Sequence, residues 1–163
     1  MGERYFDDFE VGERFISRGV TLSESQILDF ALAYDPQPFH LDKEAAAASP
    51  YAGLIASGFQ TLALGFRMFY QEKVVNACSL GSPGMSELRW LLPVRPGDTL
   101  HTEVEIMGKR PSRSKPDRGS VDLTFEVKNQ HGEAVMSFRS TMILARRPGG
   151  PEAADRDERA STR

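Results

Sequence analysis

The sequence is poor in the residues that cross-link chains or hold metals. It contains one cysteine, Cys78, and three scattered histidines, His40, His101 and His131. One cysteine excludes an internal disulfide and a multi-cysteine zinc site, and the scattered histidines argue against a dedicated metal cage. Cys78 has no neighbouring base in the sequence, so we expect it to be structural rather than nucleophilic. His101 and His131 are expected on polar surfaces.

The sequence also lacks a strong charge and any long hydrophobic run. Its net charge is -3, and no basic helix is interleaved with aromatic residues, so we predict no nucleic-acid partner. No apolar run reaches the roughly 20 residues of a membrane-spanning helix, which predicts no membrane span. The first ten residues lack the layout of a secretory signal, and this favours a cytoplasmic location.

The length of 163 residues suits one domain with a sizeable core and is short for two. We assign residues 1–147 to a single domain. The segment 148–163 is rich in Gly, Ala, Asp, Glu and Arg and has no periodicity, which predicts a disordered tail.

The first half of the domain predicts one short strand, at 13–20, and then helices. Ser23 and Gln26 form a capping box before a helix expected at 24–33, which ends ahead of Pro36. Asp42 is expected to cap a short helix at 43–48. From Phe59 to position 74, apolar residues recur with a 3.6-residue period around most of the circumference, which predicts a long buried helix.

The second half predicts a sheet, because apolar and polar residues alternate in four segments, 85–92, 99–107, 120–128 and 134–146. Leu88, Trp90 and Leu92 are expected on one face of the first strand, with Trp90 in the core or at an interface. Turn-like punctuation between the segments indicates antiparallel pairing. A strand, then helices, then four antiparallel strands around one buried helix indicates an α+β fold.

A polar stretch, YDPQPFHLD, occupies residues 34–42. It places Asp35 and His40, two groups able to transfer protons, five positions apart. Pro36 and Pro38 favour extended geometry, and an extended chain would separate the two groups by about 16 Å, too far to share one water. The residues alone leave two interpretations open: a stiff polar connector, or an acid–base pair brought together by an arch.

This stretch and the following AAAASPYAGLIASG resemble the hydratase signature of the MaoC-like dehydratase family, which includes the (R)-specific enoyl-CoA hydratases. LRWLLPVRPGDTL at 88–100 and RPSRSKPDRGSV at 110–121 resemble further segments common in that family. The resemblance covers most of residues 5–145. It implies the hotdog fold, an antiparallel sheet wrapped around a long central helix. The signature positions are filled by Asp35, Gln37, Pro38, Phe39, His40, Ile55 and Gly58.

The resemblance implies a role for each of these positions. Asp35 and His40 would activate a water molecule, and the backbone N–H of Gly58 would polarise a thioester carbonyl at a helix start, where N–H groups lack partners. A near-neutral pKa is expected for both members of the pair, as acid–base work requires. Gln37 stands where the family commonly has Asn, so we expect an altered fit there. The candidate substrate-binding residues are Tyr34, Gln37, Pro38, Phe39, Ser57, Phe59 and Thr61.

The family also implies partners. Coenzyme A is expected as part of the substrate, with no separate cofactor, and a homodimer is expected because a short sheet leaves an edge and a face to cover. The basic segment with Arg110, Arg113, Lys115 and Arg118 is either a solvated loop or a contact for coenzyme A phosphates.

The expected function is a hydratase/dehydratase acting on an acyl-CoA or acyl-carrier-protein thioester. One alternative is a hotdog thioesterase, which usually carries its carboxylate on the central helix, whereas the nearest here, Glu72, lies far along it. The other alternative is a non-catalytic acyl-thioester binding subunit, which need not keep both Asp35 and His40.

Overall fold

The computed structural model describes residues 3–149, so the predicted tail lies outside the described residues except for 148 and 149. The assignment of residues 1–147 to a single domain stays a prediction. A 3₁₀ turn, Phe6–Asp8, precedes the regular elements. The helices are α1 (Glu24–Tyr34), α2 (Pro38–Leu41), α3 (Lys43–Ala47) and α4 (Gly58–Gln71).

The strands form one antiparallel sheet in the order β1-β4-β5-β6-β3, and β2 adds a short pairing to β4. The predicted strand at 13–20 is therefore two strands. Ile16 pairs with Glu103 and Val20 pairs with Leu100. Three residues between β1 and β2 therefore lie opposite only two residues of β4, and the extra residue interrupts the ladder. The strands are β1 (Arg14–Ile16), β2 (Val20–Thr21), β3 (Gly84–Trp90), β4 (Thr99–Pro111), β5 (Arg118–Lys128) and β6 (Ala134–Ala145).

Helix α4 lies against this sheet, with a close approach at Gly65. A methyl group there would lie 2.6 Å from Cγ2 of Val127. The hydroxyl of Thr102 donates to the Gly65 carbonyl at 2.9 Å. The buried face of α4 includes Leu64 and Met68, whereas Phe59, at the start of the predicted apolar stripe, is 59% exposed. The predicted α+β hotdog arrangement is confirmed, but burial of the helix follows one face only.

The helices before α4 confirm two predictions and overturn one. Ser23 caps α1 in a capping box with Gln26. Asp42 caps α3 by accepting from two backbone N–H groups. The expectation of an extended chain from Asp35 to His40 is met at Gln37, which is extended, but is wrong beyond it, because Pro38–Leu41 form α2 with Pro38 at its first position. Proline suits that position, since its fixed φ is helical and its missing N–H would have no partner there.

Strand β3 lies at the edge of the sheet, beside β6. Leu88, Trp90 and Leu92 were predicted to share an apolar face, but only Leu88 is partly buried against the core. Trp90, at the end of the strand, is 50% exposed, and Leu92, just beyond it, is 42% exposed. A register shift between Ser86 and Arg89 bends the strand, and edge strands commonly carry such bulges. The end of β3 is thus free to face the cleft described below.

We predict that Gly65→Ala destabilises the protein by about 1–3 kcal/mol, because the methyl overpacks the contact between α4 and the sheet. The sign of the stability change is informative, because in an exposed helix interior replacing glycine with alanine would stabilise the helix by about 1 kcal/mol. Urea unfolding of the full-length protein measures the change. Arg67→Ala, on the exposed side of the same helix, is the control and should stay within about 0.5 kcal/mol. An unchanged or raised stability of Gly65→Ala would contradict the close approach.

Candidate active site

Asp35 and His40 lie side by side although the chain between them contains two prolines. Asp35 ends α1, and its carbonyl accepts from the Gln37 N–H at 2.8 Å, which turns the chain back. The single turn of α2 then brings His40 over the carboxylate. Nε2 of His40 is 3.4 Å from Oδ2 of Asp35. The extended-chain estimate was therefore wrong, and the geometry is that of a close pair.

His40 is buried, with 4% of its surface exposed, and its orientation is fixed from behind. Its Nδ1 is 2.8 Å from the carbonyl oxygen of Ile55. Because a carbonyl can only accept, Nδ1 must carry the hydrogen. In the neutral ring Nε2 is then an acceptor, and it points towards Asp35.

The carboxylate of Asp35 is held by two donors, one on each oxygen. The Ser57 hydroxyl donates to Oδ2 at 2.6 Å and the Gln37 side-chain amide donates to Oδ1 at 2.8 Å. Burial of the carboxyl acts to raise the pKa of Asp35, but these hydrogen bonds and the neighbouring His40 outweigh burial and leave that pKa below its usual value. The near-neutral pKa expected for Asp35 is thus wrong, and the group is ionised at neutral pH.

Gly58 is the first residue of α4, and Ser57 caps this helix through a hydrogen bond from Phe59 N–H at 3.2 Å. Among the described residues, no acceptor receives the N–H of Gly58. Glycine is needed here for space: an alanine methyl would overlap the indole of Trp90. Gly58 therefore lies against Trp90. Its N–H is at the positive end of the helix dipole, where it can stabilise a partial negative charge.

These groups open into a cleft of about 400 Å³. Asp35 and His40 line it together with Gln37, Gly58 and Thr61. Two aromatic pairs add apolar surface: the rings of Phe39 and Tyr51 are 5.2 Å apart, and those of Phe59 and Trp90 are 5.9 Å apart, edge to face. The cleft thus combines one acid–base pair and one free N–H donor with an apolar wall.

The other sequence-predicted substrate residues divide into two groups. Phe59, Gln37, Phe39 and Thr61 line the cleft, as described. Three others do not: Tyr34 is 75% exposed on the surface, Pro38 is exposed at the start of α2, and Ser57 is fully buried. Ser57 reaches the cleft only through Asp35.

The two ends of the basic segment belong to strands rather than to a loop. Arg110 belongs to β4 and pairs with Asp122, and Arg118 begins β5 and pairs with Asp117 at 2.8 Å. Arg113 and Lys115 lie exposed between the strands. None of the four lines the cleft that holds Asp35 and His40. Their contact with coenzyme A phosphates stays a prediction.

Sequence reasoning missed part of the cleft wall. Tyr51, Val94 and Val135 were not singled out, and Trp90 was assigned to the core or an interface. The close approach of Gly58 and Trp90 shows that Trp90 belongs to the wall, but only the three-dimensional arrangement reveals it. Loop and strand-end residues from distant parts of the chain meet here, and no periodicity marks such a meeting.

Three further features concern membrane-spanning helices, metal ligands and the single cysteine. No helix in residues 3–149 is long and apolar enough to cross a membrane. Within the same residues, no cluster of three or more His, Cys, Asp or Glu side chains could hold a metal ion. Burial raises the pKa of the Cys78 thiol to about 11, as suits the structural role expected for it.

Comparison with known proteins relates this architecture to one family. The family described as "MaoC like domain" matches residues 8–129. The solved structure of a MaoC-like dehydratase from Rhodospirillum rubrum aligns with a TM-score of 0.83 and 38% identity over 89% of this chain and 99% of that one. R-hydratase PhaJ1 from Pseudomonas aeruginosa aligns with a TM-score of 0.72 and 26% identity over 88% of this chain and 86% of that one.

A sequence relative is also informative. The 3-hydroxyacyl-thioester dehydratase Z of Mycobacterium tuberculosis is 33% identical over 110 residues, which are 66% of this chain and 73% of that protein. These likenesses agree with the hotdog fold and the family resemblance predicted from the sequence.

We predict that Gly58→Ala destabilises the protein by about 1–3 kcal/mol, because the methyl displaces the indole of Trp90. The double variant Gly58→Ala/Trp90→Leu should recover part of that loss, since the smaller side chain leaves room for the methyl. Urea unfolding of both single variants and the double variant measures the coupling. Strictly additive losses would contradict the contact between these two residues.

Proposed function

The chain belongs to the MaoC-like dehydratase family, and on this premise we propose that it adds water across the 2,3-double bond of an enoyl thioester. The reverse reaction removes water from a 3-hydroxyacyl thioester. The acyl group is carried by coenzyme A or by an acyl carrier protein. A single observation carries the proposal: Nε2 of His40 and Oδ2 of Asp35 are 3.4 Å apart, and both are acceptors when the imidazole is neutral.

Two acceptors at that separation have a natural common partner. A water molecule can donate one hydrogen to the carboxylate and one to the imidazole, and its lone pairs then point away from both groups. A water held in this way is oriented and made more basic, as a nucleophile must be. The ionised state of Asp35 supports this role, because a protonated carboxyl would compete with the water as a donor.

The chemical steps follow from this arrangement. The water oxygen attacks C3 of the enoyl group while His40 Nε2 takes one of its protons. The displaced π electrons move through C2 towards the thioester oxygen, where the Gly58 N–H and the start of α4 stabilise the developing charge. The imidazolium, stabilised by the Asp35 carboxylate, then delivers the proton to C2. The net change is the addition of H and OH, and dehydration runs through the same steps in reverse.

The relatives support the reaction class. One is named a 3-hydroxyacyl-thioester dehydratase and another an R-hydratase. The apolar walls of the cleft suit an acyl chain. Coenzyme A enters as part of the substrate, and no further cofactor has a step in the proposed reaction. A place in fatty-acid metabolism and a cytoplasmic location stay predictions from the sequence.

The thioesterase alternative is weaker, because helix α4 carries no carboxylate along Gly58–Gln71. Glu72 lies at its far end and accepts from Arg18 instead of facing the cleft. A binding-only subunit would have no use for the complete set of donors around Asp35. Hydration therefore accounts for more of the site than either alternative.

A homodimer is part of the proposal. Strand β3 is an edge strand, and Met85, Trp90 and Leu91 are about half exposed along or just beyond it. Exposed edges that carry apolar side chains favour pairing with another chain. A second copy at this edge would cover them and lie beside the cleft, which Trp90 and Leu91 also line.

We predict that the purified protein hydrates a 2-enoyl-CoA, so that the absorbance of the conjugated enoyl group falls and no free thiol is released. Asp35→Asn and His40→Ala should each reduce this activity by at least about 10²-fold, in line with the loss of a general acid or base. The assay follows absorbance and free thiol together over a panel of chain lengths. His131→Ala, in an exposed turn, is the control and should retain activity. Thiol release would favour the thioesterase, and full activity in both site variants would refute the assigned pair.

We predict a solution mass of twice the 18.1 kDa chain, measured by light scattering after size-exclusion chromatography. Met85→Asp should shift the mass towards the monomer, because it places a charge at the proposed interface. Ile16→Asp provides the matched control: Ile16 is 65% exposed on β1, at the opposite end of the sheet. A monomeric wild-type protein, or equal effects of the two substitutions, would count against this interface.

A further inference from the structure

Ser57 is the most deeply buried polar residue beside the proposed site, with 0% of its surface exposed. Its hydroxyl oxygen accepts from the N–H of Phe59 at 3.2 Å and so caps α4. Its hydroxyl hydrogen goes to Oδ2 of Asp35 at 2.6 Å. A serine hydroxyl has one hydrogen, and that hydrogen is committed to Asp35. The sequence suggested substrate contact for Ser57, but the residue has no surface facing the cleft.

The oxygen that Ser57 holds is the one that faces the imidazole. Oδ2 of Asp35 is also the atom 3.4 Å from Nε2 of His40. The other oxygen, Oδ1, accepts from Gln37 at 2.8 Å. Gln37 is exposed, so water competes for its hydrogen bond, whereas the bond from Ser57 is shielded from solvent. Ser57 is therefore the stronger of the two restraints on the carboxylate.

We propose that Ser57 is a positioning residue: its hydroxyl links the N-terminus of α4 to Asp35 and keeps that carboxylate aimed at His40. The proposal rests on the hydration reaction inferred above and assigns Ser57 no contact with substrate. It acts through Asp35. A chain of donors runs from the Phe59 N–H to the Ser57 oxygen, and from the Ser57 hydroxyl to the carboxylate.

The linkage ties two parts of the site together. Ser57 fixes the carboxylate, and the next residue, Gly58, presents the N–H proposed to polarise the thioester. The Asp35 carboxylate and the N–H donor for the thioester carbonyl are thus held at one helix start, and their separation cannot change unless this turn moves. Correct separation of reacting groups is a large part of catalysis, and an error of about 1 Å can cost 10²-fold in rate.

A helix cap alone would not require this arrangement. Capping does not need a hydroxyl hydrogen, and Gly, which has no side chain, is tolerated at the cap position almost as well as Ser. Donation to a buried carboxylate needs a hydroxyl. The charged or titratable groups that share the cleft with Asp35 are His40, which faces it directly, and the phenol of Tyr51. Removal of the Ser57 hydroxyl therefore leaves the Gln37 amide and His40 to stabilise the ionised carboxylate.

The test compares Ser57→Gly, Ser57→Ala and Ser57→Thr in the full-length protein. Glycine and alanine both remove the hydroxyl, but glycine starts a helix almost as well as serine does, whereas alanine does not. Threonine keeps the hydroxyl. Two quantities are measured: the pKa of the Asp35 carboxyl by ¹³C NMR titration, and kcat and KM separately for hydration. Thermal unfolding checks that each variant is folded.

We expect Ser57→Gly to raise the pKa of Asp35 by about one unit, as the loss of a hydrogen bond to a charged group requires. Its kcat should fall about tenfold or more with little change in KM, because Ser57 does not bind substrate. Ser57→Thr should restore both quantities. Ser57→Ala should resemble the glycine variant and also lose thermal stability.

An unchanged Asp35 pKa in Ser57→Gly overturns the proposal, and so does an unchanged kcat in a variant that still hydrates. A drop in stability confined to Ser57→Ala, with Ser57→Gly like the wild type throughout, identifies Ser57 as a helix cap only and also overturns it. The NMR titration needs no activity. If the wild-type protein hydrates no thioester, the proposed function fails, while the pKa comparison still decides whether Ser57 controls Asp35.

Discussion

The hydrogen bond between Nδ1 of His40 and the carbonyl of Ile55 is the interaction on which the site depends. At 2.8 Å, with a carbonyl as the only acceptor, it fixes both the tautomer and the ring orientation. Without it, either ring nitrogen could carry the hydrogen, and Nε2 could donate to Asp35 and close the pair on itself. With it, the neutral pair presents two acceptors to a shared donor.

The backbone that provides this carbonyl does more than orient the histidine. The N–H of Ile55 donates to Phe39 at 3.2 Å and that of Ala56 donates to Val94 at 2.8 Å, so the segment is held between α2 and the turn before β4. Two residues later it presents Ser57 to Asp35, and it then begins α4. Helix α4 is in turn fixed to the sheet at Gly65. One short segment, residues 55–57, therefore holds His40, Asp35 and the start of α4 in place.

Local rules predicted the capped helices, the alternating strands and the long helix, because each depends on neighbouring residues. They failed where separate segments meet. The extended reading of the prolines overlooked that Pro38 can begin a helix, and so it placed Asp35 and His40 too far apart. The exposure of Trp90 followed from the position of β3 at the sheet edge, which sequence order does not give. The residues alone raised Asp35 and His40 as a possible acid–base pair, and the resemblance to a family favoured that interpretation. The contacts of Asp35 explain how the pair is held.

The most direct test of the account is hydration in H₂¹⁸O, with mass spectrometry of the intact product. If Asp35 and His40 direct water to C3, the label should appear in the 3-hydroxyl group of an intact acyl thioester, and no free thiol should form. The label should be lost from this position in Asp35→Asn. Label in a released carboxylate, with free thiol, would show attack on the thioester carbonyl and would contradict the account.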